Sequence, residues 1–301
     1  MSRPVAVLLL IVATVIWGFA FVAQKEAMDT MGPLTFAGVR YLLGGIVILP
    51  LAILEYRRRT ATGFAMTRRQ WVLSLCLALA LFIASWLQQA GLLYTSVTNS
   101  GFLTALYVLF VPLIAFLAIR MRPHPIIYLG APLALIGIYY LNGGRLDQLN
   151  IGDAMVTASA FFWGVQVFLI GIVARETGLP VFVSALSFLV TGVLAMGFAF
   201  GLETVTLVGI RAGWVEILYT GVLSTSVAYT LQAVGQQYVP PANAAIILSA
   251  ESLFAALGGA LLLNERLQSI GYFGAALTFL AIVLVEALPA WRQKRAAALA
   301  G

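Results

Sequence analysis

Charged residues are scarce in this 301-residue chain: Asp, Glu, Lys and Arg together make up 9%, whereas 62% of the residues are hydrophobic. A soluble protein of this length needs far more polar surface than that. We therefore expect an integral membrane protein whose first partner is the lipid bilayer.

Residue types that carry catalysis or bind metals are almost absent. The single cysteine, Cys76, lies in an apolar run, so no intrachain disulfide can form. The single histidine, His124, lies between two prolines, and no Cys, His or Asp cluster has the spacing of metal ligands. The Walker-type phosphate-binding motif is also absent. These absences argue against an enzyme and against an ATP-driven pump, and we predict no cofactor.

The basic residues, 17 against 11 acidic ones, sit in short loops between apolar runs. Such a distribution favours an orientation signal over nucleic-acid binding. With a cytoplasmic amino terminus, the inside receives Arg3, Arg57, Arg58, Arg59, Arg68, Arg69, Arg120, Arg122, Arg175, Arg292, Lys294 and Arg295, and the outside keeps Lys25, Arg145, Arg211 and Arg266. We therefore predict a multi-pass protein with both termini in the cytoplasm.

Long apolar runs separated by polar and turn-rich clusters fill the chain. They predict an all-α membrane protein with ten transmembrane helices. The segments run roughly over 5–23, 34–54, 71–90, 99–119, 125–142, 153–174, 180–202, 212–236, 242–263 and 270–288.

An internal repeat relates the two halves. The stretch from Tyr94 to Arg122 aligns with the stretch from Tyr238 to Arg266, and Trp17-Gly18 matches Trp163-Gly164. Five helices are thus repeated once, over residues 1–150 and 151–301. Because five is odd, the second copy must enter the membrane upside down, which predicts the 5+5 inverted-topology repeat recurrent in secondary transporters.

The repeat places one polar or aromatic group near the middle of the membrane in each half. Glu251 shares a helix face with Asn243, and Tyr107 occupies the matching place beside Asn99. A buried Glu251 is a protonated carboxyl bonded to its neighbours, a counter-ion for a substrate ammonium, or a proton-coupling group, and the sequence leaves these three readings open.

Aromatic and amide side chains inside the segments predict a shared cavity. Tryptophan usually favours membrane interfaces, so Trp17 and Trp163, deep in their helices, are candidates for stacking on a substrate, with tight packing as the alternative. Interior amides avoid lipid by facing inward, either toward a ligand or toward another helix. The predicted substrate-binding residues are Trp17, Trp86, Gln89, Asn99, Tyr107, Trp163, Gln166, Tyr229, Gln232, Asn243, Ser249 and Glu251.

Arg40 lies a few residues inside the second segment. The sequence leaves open a pair with a carboxylate, a reach to the outer interface with the long side chain, and a structural pair, and it favours the last two.

The run Leu263–Leu267, followed by Gly271 and the sequence from Gly274, resembles the closing signature of the drug/metabolite transporter superfamily, in particular its EamA-type members. The paired Trp-Gly motifs and Pro33 with Arg40 resemble the same family. The resemblance implies a ten-helix carrier in the bacterial inner membrane, and the chain looks most like the aromatic amino acid exporters. It departs from the family where Ser252 replaces proline after Glu251 and where Met121-Arg122 replaces Gly-Glu.

The expected function is therefore secondary transport by alternating access, most simply export of amino acids with bulky apolar side chains or of similar small metabolites. A multidrug or other metabolite carrier of the same fold is one alternative. A non-transporting membrane scaffold is another, and the sequence leaves the oligomeric state open.

Overall fold

The computed structural model describes residues 1–122, 125–141, 143–144, 150–264 and 268–300. His124, Arg145, the Glu265–Leu267 part of the closing signature and the side chains of the basic tail lie outside the described residues.

All regular structure in these ranges is helical. The helices are α1 Arg3–Glu26, α2 Pro33–Thr60, α3 Arg68–Gly91, α4 Val97–Thr104, α5 Tyr107–Ile119, α6 Ile127–Leu141, α7 Ile151–Thr177, α8 Pro180–Leu202, α9 Leu207–Ala212, α10 Trp214–Leu218, α11 Tyr229–Gly235, α12 Pro241–Leu248, α13 Glu251–Leu262 and α14 Ser269–Ala300. A 3₁₀ turn over Ala27–Asp29 follows α1, and a π-helix over Tyr219–Ala228 joins α10 to α11.

Eight helical segments in the described ranges are long and apolar enough to cross a membrane. Two shorter apolar helices, Ile127–Tyr140 and Ser269–Leu284, stand at the fifth and tenth predicted segments. The all-helical membrane fold is confirmed, while the count of ten crossings stays a prediction.

Proline and capping side chains set the helix starts. Helices α2, α8 and α12 begin at Pro33, Pro180 and Pro241, where a missing N–H costs nothing because the first turn has no helical acceptor. Helix α7 begins with a capping box between Asn150 and Asp153 and ends at Gly178, whose φ of 66° suits glycine.

Two close helix crossings involve the paired Trp-Gly motifs. A Cβ atom on Gly18 of α1 would lie 2.2 Å from Cβ of Phe254 in α13, and one on Gly164 of α7 would lie 2.9 Å from Cβ of Phe110 in α5. Phe110 and Phe254 are themselves matched by the repeat. Each half thus sends a glycine face against the other half, which fixes the tryptophans beside the interface between them.

The fourth and ninth segments are each two helices, whereas the sequence predicts one continuous helix. Between α4 and α5 the amide of Val108 bonds to the carbonyl of Ala105, three residues back, at 3.1 Å. Between α12 and α13 the amide of Ser252 bonds in the same way to Ser249 at 3.1 Å. Both helices therefore tighten for one turn, and Tyr107 and Glu251 begin the helices that follow.

Helices α7 and α12–α13 lie at the centre of the bundle. The most apolar stretch of each is 67% buried, against 44% for α2, α3 and α8. Every residue of α12 is buried. The second half's first and fourth segments therefore form much of the interior in which the candidate site lies.

Candidate functional site

A central cavity of about 450 Å³ lies between the two halves of the chain. Seven of the twelve predicted site residues line it: Trp17, Tyr107, Trp163, Gln166, Tyr229, Gln232 and Glu251. They come from α1, α5, α7, α11 and α13, so side chains of both halves share one cavity.

Aromatic rings form one wall. The ring of Tyr229 lies 4.6 Å from that of Trp17 and 6.1 Å from that of Trp163, nearly parallel to the latter at 17°. Nε1 of Trp17 donates to the backbone carbonyl of Ser224 at 3.1 Å, in the π-helical stretch. Nε1 of Trp163 is buried with no hydrogen-bond partner among the described residues. The wall offers flat apolar faces and one unused N–H donor.

Glu251 is a buried carboxyl, 6% exposed. The hydroxyl of Tyr107, its counterpart in the repeat, lies within hydrogen-bonding reach. Oε1 of Glu251 has no hydrogen-bond partner in the described part of the chain. One carboxyl oxygen is thus available to a donor that enters the cavity.

Arg40 also lines the cavity and is only 2% exposed, so the expectation that it reaches the membrane interface is wrong. Its Nη1 donates to Oε1 of Gln24 at 3.3 Å, and its guanidinium lies 4.7 Å from the ring centre of Tyr41. Nε has no hydrogen-bond partner within the described ranges. An amide and an aromatic face stabilise this buried cation, and one N–H donor remains free.

Two hydrogen-bonded pairs hold neighbouring helices at the cavity. Gln166 and Gln232 exchange amide hydrogen bonds of 3.1 and 3.3 Å. Nε2 of Gln88 donates to Oγ1 of Thr104 at 2.8 Å. The sequence left two alternatives for interior amides, facing the cavity or bonding to another helix. These side chains do both.

Five predicted site residues lie off the cavity lining. Gln89 donates from Nε2 to the carbonyl of Gln24 at 2.8 Å, behind the wall, because it faces another side of α3 than Gln88. Ser249 donates to the carbonyl of Ile246 at 2.7 Å within its own helix.

The remaining three face elsewhere as well. Asn99 donates to Oγ1 of Thr95 at 2.9 Å and to the carboxylate of Asp153, at the end of the bundle where α7 begins. Trp86 is half-buried, and Asn243 is buried in α12. Of these three only Asn243 is buried, and the face of the helix decided what each of them meets.

Eight lining residues are absent from the predicted set: Phe21, Gln24, Arg40, Gln88, Thr104, Val167, Ser224 and Leu248. A helical signal for two of them exists in the sequence, since Phe21 and Gln24 follow Trp17 at spacings of four and seven residues. Ser224 has none, because its contribution is a backbone carbonyl exposed to Trp17 in a π-helix.

The cavity is narrow in this conformation. The free volume between the side chains is about 40 Å³, well below the roughly 300–1,000 Å³ of typical ligand pockets. A metabolite the size of an amino acid needs a wider site, so its entry requires the walls to move apart. Among the described residues, no group of three or more His, Cys, Asp or Glu side chains is placed to hold a metal ion.

Comparisons with known proteins agree on the class of protein. The chain is 31% identical over 287 residues to an "uncharacterized transporter" of Archaeoglobus fulgidus, covering 95% of this chain and 87% of that protein. It is 29% identical to the "uncharacterized transporter YwfM" of Bacillus subtilis, covering 97% and 96% of the two chains. It is 25% identical to the "uncharacterized inner membrane transporter YedA" of Escherichia coli, covering 90% and 87%.

A solved crystal structure supports the fold. It superimposes with a TM-score of 0.76 at 18% identity and covers 95% of this chain and 98% of that one. The sequence model of the EamA-like transporter family matches this chain twice, over residues 4–143 and 150–287. The chain therefore belongs to the EamA-like transporter family and is a multi-pass membrane transporter.

Proposed function

We propose that this protein carries small zwitterionic metabolites across the membrane by alternating access, with amino acids that bear bulky apolar side chains as the favoured substrates. The observation that carries the proposal is a cavity in which buried Arg40 and buried Glu251 both face an aromatic wall.

The chemistry of the lining matches the three parts of such a substrate. The free Nε donor of Arg40 suits a carboxylate, and the free Oε1 acceptor of Glu251 suits an ammonium. The indole of Trp163 and the ring of Tyr229 suit an apolar or aromatic side chain. A carrier of neutral lipophilic compounds has no use for two buried ionisable groups, which are costly inside a membrane protein.

An inverted 5+5 repeat with ten crossings is part of the proposal. It draws support from the two family matches, 4–143 and 150–287, and from the reciprocal crossings of Gly18 on Phe254 and Gly164 on Phe110. Substrate sites of such carriers lie near the midplane between the repeats, and rocking of one unit on the other exposes the site to each side in turn. The two units are residues 1–150 and 151–301.

We place the protein in a bacterial inner membrane with both termini in the cytoplasm. The named Escherichia coli relative is an inner membrane transporter, and the arginine-rich loops supply the orientation. Export rather than uptake, and substrates of the aromatic amino acid type, are supported by the family resemblance of the sequence.

Transport by the purified full chain in proteoliposomes tests the proposal. We expect counterflow of labelled phenylalanine or a similar amino acid, competed by other bulky amino acids. Flux of lipophilic cations without amino acid flux would instead indicate a multidrug carrier. No substrate-dependent flux of any kind would indicate a scaffold.

Analogues that lack one charge separate the two recognition groups. Arg40→Gln should weaken binding of an amino acid by about 10- to 100-fold while leaving the binding of its decarboxylated amine nearly unchanged. Glu251→Gln should weaken binding of the amino acid and the amine but spare the N-acetylated acid. The matched controls are Arg69→Gln and Glu176→Gln, which break an exposed ion pair of 2.6 Å far from the cavity. Equal losses for all three ligands with either cavity variant would contradict the assignment.

A further inference from the structure

We propose that this protein has a second binding site, a groove on its membrane-facing surface that holds one anionic phospholipid. The groove lies where the end of α2 meets the turn between α7 and α8. It is a shallow groove of about 900 Å³, counted with the open space above it, and it is separate from the central cavity.

The groove has an apolar part and a basic part. Leu51, Leu54 and Val181 line the apolar part, and Leu51 and Leu54 are 62% and 44% exposed. Arg58 and Arg59, one to two helical turns further along α2, line the basic part together with Thr62 just after the helix. An acyl chain fits along the leucines, and the arginines then stand at the level of the phosphate.

The two arginines are arranged differently. Arg59 is held in place, since its Nε donates to the carbonyl of Thr177 at 3.3 Å and its guanidinium lies 4.7 Å from the ring centre of Phe64. The guanidinium of Arg58 is exposed and has no hydrogen bond or ion pair with any described residue. A phosphate between them would meet one fixed and one adaptable donor group.

The carboxylate of Glu55 also lines the groove, but it forms no ion pair with these arginines. It accepts a hydrogen bond from the amide of Phe182 at 2.8 Å and so caps the start of α8. The positive charge of the groove is therefore not cancelled by an ion pair among the described side chains, and it complements a phosphodiester.

Helices α2 and α8 are also capped by a carboxylate at their other end, and there no arginine stands beside it in the sequence. There Glu203 at the end of α8 accepts hydrogen bonds from the amides of Leu34 and Thr35 at the start of α2, both at 2.8 Å. The residues that follow it, 204–207, carry no charge. Basic residues next to the capping carboxylate occur at one end only, which is the end predicted to face the cytoplasmic leaflet.

Lipid titration of the detergent-solubilised full chain tests the site. Dioleoyl phosphatidylglycerol and dioleoyl phosphatidylcholine are added separately, and binding is followed by native mass spectrometry and by the thermal unfolding midpoint. The wild-type protein should bind phosphatidylglycerol more tightly than phosphatidylcholine. Arg58→Gln and Arg59→Gln should each weaken that binding about fivefold, and together about 25-fold.

The matched control is Arg57→Gln, which removes the same charge from the same helix end but lies outside the groove lining. It should change the affinity by less than about twofold. Equal loss with Arg57→Gln, or equal binding of phosphatidylcholine by wild type, would overturn the site in favour of general charge attraction. Competition by millimolar inorganic phosphate that abolishes phosphatidylglycerol binding would overturn the lipid in favour of a free anion.

Discussion

Trp17 and Trp163 occupy matching places in the two halves but differ in one hydrogen bond. Their exposed fractions are alike, 9% and 7%, while only Trp17 donates from Nε1, to the carbonyl of Ser224. Changing each to Phe removes a similar volume, so the difference between the two variants isolates that bond. We expect Trp17→Phe to lose about 1 kcal/mol more free energy of unfolding than Trp163→Phe. Denaturation in detergent micelles measures this difference, and equal losses would contradict it.

The same two side chains should matter more for transport than for folding. Trp17→Ala and Trp163→Ala remove ring faces beside Tyr229, and we expect each to lower the transport rate per folded molecule by roughly tenfold or more. Trp86→Ala is the control, because Trp86 is half-buried and lies off the cavity lining. Normal transport by both cavity variants would favour a packing role for the tryptophans.

Glu251 is the side chain for which substrate contact and proton coupling predict different results. A structural or substrate-contact role is favoured over coupling, because Tyr107 takes its place in the other half and Ser252 replaces the proline usual in the resembled family, and the proposed function selects substrate contact. Glu251→Gln should then weaken substrate affinity at every pH while net flux still responds to an imposed pH gradient. Flux in proteoliposomes with and without a gradient measures this. Unchanged affinity with a lost gradient response would assign Glu251 to coupling.

For single residues, the sequence predicts whether a side chain is polar and how deep it lies better than it predicts which way the side chain points. Trp17, Trp163 and Tyr229 lie together because helical spacing and the repeat fix their depth. Gln88 and Gln89 are neighbours in the sequence, yet only Gln88 lines the cavity, since a step of one residue turns the side chain to another helix face. For Arg40 only the membrane-interface alternative is wrong, because a long side chain near a helix start reaches either water or the interior, and only the packed neighbours decide.

Helices α2 and α8 stabilise each other at both ends through carboxylates. Glu203 accepts from the amides of Leu34 and Thr35 and from the hydroxyl of Thr35 at 2.7 Å. Glu203→Ala removes these bonds and leaves the first turn of α2 uncapped, so we expect a loss of about 2 kcal/mol in the free energy of unfolding. The control Glu176→Ala breaks only an exposed ion pair and should cost less than about 1 kcal/mol. Equal unfolding midpoints for the two variants would contradict the capping role.

The tightened turns in the fourth and ninth segments show what hydrophobic patterning leaves out. The apolar run from Ala242 onward is long enough for one straight helix, and the pattern carries no break signal. The hydroxyls of Ser249 and Ser252 bond back to carbonyls three residues earlier, at 2.7 Å each, which favours a local tightening. Such turns place Tyr107 and Glu251 at the start of new helices and supply the adjustable backbone that the proposed alternating access requires.

At the scale of the whole molecule, the narrow cavity and the paired helix crossings both point to a movement of the two halves relative to each other. A site with a free volume of about 40 Å³ admits a small metabolite only after one group of helices moves relative to the other. Glycine contacts such as Gly18 on Phe254 and Gly164 on Phe110 hold the helices close without interlocking large side chains. The interface between the halves is therefore suited to a rocking motion that widens the cavity.

The orientation of the second half depends on whether the short helix α6 crosses the membrane. Its 15 residues span about 22 Å, less than the roughly 30 Å of a typical hydrocarbon core, so a crossing requires local thinning or polar ends that reach outward. If α6 crosses, the halves are inverted, and the two termini share one side when α14 crosses as well. If it does not, the halves run in parallel and the inverted repeat fails.

Reporter fusions decide between these arrangements. A periplasmic reporter fused after Gly144 should be active, and fusions after Thr60 at the end of α2 and after Gly178 at the end of α7 should be inactive. Reporter activity after Gly178 without activity after Thr60 or Gly144 would mean that α6 stays on one side of the membrane. Reporter activity after Thr60 and Gly178 but not after Gly144 would mean that the whole protein has the opposite orientation. The inverted repeat requires the Gly144 fusion to differ from both the Thr60 and the Gly178 fusion, because only an odd number of crossings before Ile151 turns the second half over.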